Sequence, residues 1–110
     1  MKSIQIERFG GPDVLVVKDM DIGKPGPKEV LIKNKSIGLN FIDVYHRTGL
    51  YPIPLPSGIG LEASGVIEEI GSEVKLFKVG DRVTHASMPI GAYSEKQIMP
   101  EEKLISVPDG

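Results

Sequence analysis

The sequence predicts a mainly β domain, barrel-like or sandwich-like, with one short helix and one long proline-containing loop. Three observations carry that prediction. Short apolar–polar alternations recur along the chain, 13 glycines and 9 prolines punctuate them, and only one segment has helical periodicity. The 110 residues, 40% of them hydrophobic, supply one real core and are too few for two ordinary domains.

Ile4 and Ile6 alternate with Ser3, Gln5 and Glu7, the period of a half-buried strand. Gly10-Gly11-Pro12-Asp13 breaks the pattern and Val14–Val17 resumes it, which predicts a hairpin. Gly23–Lys28 holds Pro25 and Pro27 and reads as a loop. Glu29–Ile37 is the best strand, with Val30 and Ile32 on one face, Lys33 and Lys35 on the other, and Gly38 as its stop.

Asn40–Thr48 is the one helix. Asn40 caps it, Phe41, Val44, Tyr45 and Thr48 share a face, and Gly49 terminates it. Pro52, Pro54 and Pro56 then favour an extended path without ladder hydrogen bonds. Gly65–Ile70 returns to β, turn signals follow at Gly71-Ser72 and Gly80-Asp81, and Asp81–Thr84, Ala92–Met99 and Lys103–Val107 read as three further strands. The last four residues, Val107–Gly110, form a turn signal that leads into something, a sign of truncation that many complete domains ending in loops also show.

Charge narrows the partners. Thirteen Lys and Arg against 15 Asp and Glu leave a net charge of −2, with no basic excess for nucleic acid or an anionic membrane. Apolar runs are too short to span a bilayer, and the first ten residues lack the apolar stretch of a secretion signal. Without cysteine there is no disulfide, thiolate metal site or cysteine nucleophile. A soluble, cytoplasmic protein is the expectation.

Gly58-Ile-Gly60-Leu-Glu-Ala63 spells G-x-G-x-x-A, the letters of a dinucleotide-binding fingerprint. That fingerprint needs a strand before it and a helix after it, so that a helix N-terminus faces the pyrophosphate. Here prolines precede it and Ser64-Gly65-Val66-Ile67 follows, a poor helix start. The alternative is structural: Gly58 and Gly60 supply turn geometry and Gly65 permits close backbone approach. His46, His85 and Glu62 are too scattered to match a metal-ligand pattern, and His46 reads as a solvated residue on an exposed helix turn. No serine lies in a nucleophile-elbow context.

A polar set gathers around the helix: Asn40, Asp43, Tyr45 and, after it, Tyr51. Phenols donate hydrogen bonds without ionising at neutral pH, so two phenols and an amide can orient a carbonyl-bearing ligand. The competing reading packs Tyr45 in the core and lays Tyr51 over the proline loop.

Glu7–Leu15 (ERFGGPDVL), Ile37–Pro52 (IGLNFIDVYHRTGLYP), Leu55–Gly71 (LPSGIGLEASGVIEEIG) and Gly80–Val83 (GDRV) together resemble the N-terminal part of zeta-crystallin-like NADPH:quinone oxidoreductases of the medium-chain dehydrogenase/reductase superfamily. The resemblance implies a GroES-like, partly open β-barrel over residues 1–110, incomplete because the Rossmann domain and a returning C-terminal portion lie beyond it. It implies Asn40, Tyr45 and Tyr51 as catalytic-cleft residues at the nicotinamide and Phe41, Ile42, Asp43, Val44 and Tyr45 as NADPH contacts. It implies a quinone substrate, the remainder of the enzyme as partner, a homodimeric parent and no zinc. Zinc-dependent relatives carry Gly-His-Glu where this chain has Gly60-Leu61-Glu62, and Asn40 lies where they place a ligand cysteine. Leu61 cannot coordinate a metal.

On that reading the 110 residues alone are inactive, and a face meant for the missing domain favours self-association. Two rivals remain: a self-standing binding module resembling the GroES co-chaperonin, and a fragment of an alcohol dehydrogenase.

Overall fold

The computed structural model describes residues 1–108, so the expected turn at Val107–Gly110 lies partly outside the described residues. Among the described residues, eight strands and one α-helix follow in the order β1 (Lys2–Ile6), β2 (Val16–Asp19), β3 (Glu29–Gly38), α1 (Phe41–Thr48), β4 (Ser57–Gly58), β5 (Glu62–Ile70), β6 (Arg82–Ala86), β7 (Lys96–Pro100) and β8 (Ile105–Ser106). They form a three-stranded sheet, β2-β1-β4, and a five-stranded sheet, β7-β3-β5-β6-β8. Each pairing is antiparallel. The mainly β architecture is as expected, and the two sheets do not close into a barrel.

β1 joins the sheets. A bridge pairs Ser3 with Ser94, and hydrogen bonds run from Ile4 N–H to the Tyr93 carbonyl and from Glu95 N–H to the Lys2 carbonyl. Two apolar clusters result. One packs Val30, Ile32, Ile67, Val83, Met99 and Leu104 within the five-stranded sheet; the other packs Ile6, Val14 and Ile59 beneath the smaller one. Gly65 of β5 crosses β3 so closely that a Cβ there would collide with the Lys33 carbonyl, the close approach the sequence suggested.

Several local expectations shift. Only Val16–Asp19 of the second apolar run is strand; Pro12–Val14 is a single 3₁₀ turn, because Pro12 fixes a helical φ and Val14 turns into the smaller core. Leu31 is buried together with Val30 and Ile32, in the stretch of β3 that pairs with β7 on one side and β5 on the other. Gly58 lies in β4, paired with Gln5, rather than in a turn. Ala92–Met99 begins as irregular chain and becomes strand only at Lys96, because Tyr93 and Glu95 bond to β1. The final element is shorter, with Glu101–Lys103 forming a 3₁₀ turn before β8.

Candidate functional site

The site is built where β3 hands over to α1. Gly38 ends the strand, Leu39 points outward, and Asn40 takes the extended conformation of an N-cap, φ −130° and ψ 156°. The Asn40 N–H donates to Asp43 Oδ2 at 3.1 Å, one half of a capping box. The Asn40 carboxamide faces the Asp43 N–H, but that N–H bonds the Asn40 carbonyl at 3.0 Å. The carboxamide nitrogen is left for another partner. This Nδ2 donates to Glu62 Oε1 at 2.9 Å.

Asp43 is only 2% exposed, and its Oδ2 also accepts a hydrogen bond from the Tyr93 hydroxyl at 2.6 Å. Burial, and then the Asp43 carboxylate, push the Tyr93 phenol well above its ordinary pKa, so it stays a protonated donor. Tyr93 reaches this far because Gly60, at φ +98°, has no side chain: a Cβ there would lie 2.5 Å from Tyr93 Cδ1.

The helix face differs from the expected one. Asp43 and His46 are the buried residues of α1, while Phe41 is 81% exposed and Thr48 is exposed. His46 is therefore not the solvated residue its position suggested. The polar side of the helix turns inward because Asp43 finds the Tyr93 hydroxyl and the Asn40 N–H there. Gly49, left-handed at φ 86°, ends the helix as the sequence indicates.

Tyr45 and Tyr51 meet edge to face, with ring centroids 5.4 Å apart and planes at 82°. The Tyr51 N–H bonds the Tyr45 carbonyl at 3.2 Å; Tyr45 is partly buried and Tyr51 half exposed. Ile42 and Val44 are partly buried. Leu39, Phe41, Leu50 and Tyr51 thus give this corner an exposed apolar surface. Beside it, an open groove of about 600 Å³ runs between the sheets, walled by Ile4, Val17, Ile37, Leu39 and Tyr93. Asn40, Tyr45 and Tyr51 do not line that groove.

His85 lies elsewhere, on β6. It is buried, its Nε2 is 3.1 Å from Gln97 Oε1, and burial lowers its pKa. Among the described residues no three of His, Asp and Glu gather as a metal set. Gly60 is followed by a strand, β5, so Gly58–Ala63 has no helix to offer a pyrophosphate.

This corner and the strands behind it match a known family model, the alcohol dehydrogenase GroES-like domain, over residues 26–109. The chain belongs to that family. As a GroES-like domain it is 56% identical to a quinone oxidoreductase of Pseudomonas aeruginosa over 110 residues, covering 99% of this chain and 34% of that protein. It is 46% identical to a 2-haloacrylate reductase of Burkholderia over 108 residues, covering 94% of this chain and 32% of the relative. Among solved structures, the Escherichia coli quinone oxidoreductase complexed with NADPH superposes with a TM-score of 0.96 at 43% identity, over 98% of this chain and 33% of that one. The chain spans about a third of the length of the curated relatives it matches.

Sequence reasoning did not single out Tyr93. It stands 50 residues from Asp43 in the chain, and no local pattern connects the two.

Proposed function

We propose that this GroES-like domain is the N-terminal catalytic part of a zinc-independent, NADPH-dependent quinone oxidoreductase, the rest of which comprises a Rossmann domain and a C-terminal return. The reading rests on the match of nearly the whole chain to an oxidoreductase solved with NADPH. The corner around α1 fits such a cofactor. Phe41 leaves the first helical position for solvent, and the Asn40 carboxamide keeps one N–H beyond its bond to Glu62.

NADPH, when bound, supplies the hydride. The chain's residues position the acceptor and exclude water. Asn40 and the Tyr45–Tyr51 pair offer neutral donors to an oxygen on which charge grows, and Phe41, Ile42 and Val44 give an apolar wall for the nicotinamide. Asp43 serves the cofactor from behind, by fixing the start of the helix. The parent enzyme is a cytoplasmic homodimer acting on a small quinone. Leu61 supplies no ligand where zinc-dependent relatives hold their metal.

The test places residues 1–110 in the Pseudomonas aeruginosa quinone oxidoreductase in place of its matching third. The chimera should oxidise NADPH with a quinone, while the 110-residue chain alone should not. A folded chimera that binds NADPH and leaves quinone unreduced overturns the reading, as does robust turnover by the short chain. Assembly of the short chain into a ring of several subunits would favour a co-chaperonin-like module instead.

A further inference from the structure

Asn40 is held at both of its nitrogen atoms by carboxylates from different elements. Its backbone N–H goes to Asp43 Oδ2 within the helix, and its side-chain Nδ2 goes to Glu62 Oε1 on β5. The first bond belongs to the helix cap; the second has no role in the fold so far described. Glu62 pairs across the sheet with Gly38, and its side chain lies over that glycine. A Cβ at position 38 would collide with Glu62 Oε1 and sit 2.5 Å from Glu62 Cδ. The last residue of β3 is thus one that leaves room for Glu62 to reach Asn40, two positions onward.

A carboxylate only accepts, whereas a carboxamide donates from one end and accepts at the other. The end of Asn40 that faces Glu62 is therefore its NH₂ group, and the flip of the amide is set by its partner. One N–H remains for a ligand, while the carbonyl oxygen faces the Asp43 N–H in the helix cap. Resting on the catalytic reading above, we propose that Glu62 is a positioning residue: it sets the rotamer and the flip of the Asn40 carboxamide, and so decides which atoms that group presents to the carbonyl-bearing acceptor. Glu62 acts through Asn40 and does not touch the reacting atoms. Without it the amide rotates, and the donor is no longer held at the acceptor oxygen.

Two measurements test this. In the 110-residue chain, NMR of the Asn40 side-chain amide should give two well-separated proton signals, one of them bonded to Glu62. Glu62→Ala should narrow that separation to that of a solvated carboxamide, and Glu62→Gln, which keeps an accepting oxygen in the same place, should restore most of it and guards against a variant that fails to fold. In the chimera, Glu62→Ala should lower kcat by roughly ten- to a hundredfold, the scale of a misplaced reacting group, with the KM for NADPH unchanged. Asn40→Ala combined with Glu62→Ala should be no slower than Asn40→Ala alone, the non-additivity expected of groups that act as one unit. An Asn40 amide signal indifferent to Glu62→Ala overturns the proposal, and so do losses that multiply in the double variant. If Asn40→Ala alone leaves turnover intact, the catalytic assignment of Asn40 falls, and the orientation by Glu62 is then judged on the spectra alone.

Discussion

The centre of the five-stranded sheet and the corner around α1 solve opposite problems. In the sheet, Val30, Ile32, Ile67, Val83 and Met99 are fully or almost fully buried, and apolar contact holds them. At the corner the arrangement is inverted: Asp43 and His46 are buried while Phe41, Leu39 and Leu50 face solvent. The sheet is held by burial that is non-directional and redundant. The corner is held by a few directional bonds, Tyr93 and Asn40 to Asp43 and Asn40 to Glu62. A region that keeps its apolar side chains exposed and its polar ones fixed is suited to meeting a ligand, and it gains little stability from doing so.

That contrast can be broken most severely in the sheet. Ile67→Ala should cost about 2–5 kcal/mol in urea unfolding, through lost transfer energy and the cavity left beneath β3. Tyr93→Phe should cost about 1–3 kcal/mol, because it takes one partner from a buried carboxylate whose other oxygen, Oδ1, already has none in the described structure. The same variant should broaden the amide signals of Asn40–Asp43 and leave those of β5 unmoved.

A smaller effect comes from His85, on β6. Its folded pKa lies below the usual 6.5 because burial opposes the charged ring. As pH falls through 6.5 the unfolded chain takes up a proton that the folded chain refuses, so stability declines with acidification and levels off below the folded pKa. The slope cannot exceed about 1.4 kcal/mol per pH unit for one proton. Thermal unfolding between pH 7.5 and 5 should reveal it, and His85→Gln should flatten that stretch of the profile.

Phe41→Ser should change least, within about 0.5 kcal/mol, since the ring is already in water. In the chimera the same substitution should raise the KM for NADPH. A large loss of stability there would mean that the corner is held by apolar contact after all.

Much of the β framework was legible because strand signals are local. The alternation in Lys2–Ile6, the apolar run of Glu29–Ile37 and the glycine-bounded Gly65–Ile70 each became strand close to the expected bounds. The helix bounds were equally legible, from Asn40 as cap and Gly49 as stop. The buried face of α1 was not. Its apolar residues are spaced as a core-facing stripe, and hydrophobic period alone turns Phe41 inward. The actual orientation depends on Tyr93, which no window of sequence around the helix contains.

The sequence by itself therefore determined the first strand, the long strand before the helix, and the helix with its two ends, because caps, φ restrictions and residue alternation act over a few positions. It also established that Gly58–Ala63 opens no helix, and that Leu61 offers no lone pair to a metal. Tertiary structure decided which side of α1 is buried and which atoms of Asn40 remain free. Those outcomes depend on groups brought together from distant strands: Gly60 makes room for Tyr93 to reach Asp43, and Gly38 makes room for Glu62 to reach Asn40. A hydrogen bond between distant residues leaves no periodic trace in the chain, so only the folded geometry reveals it.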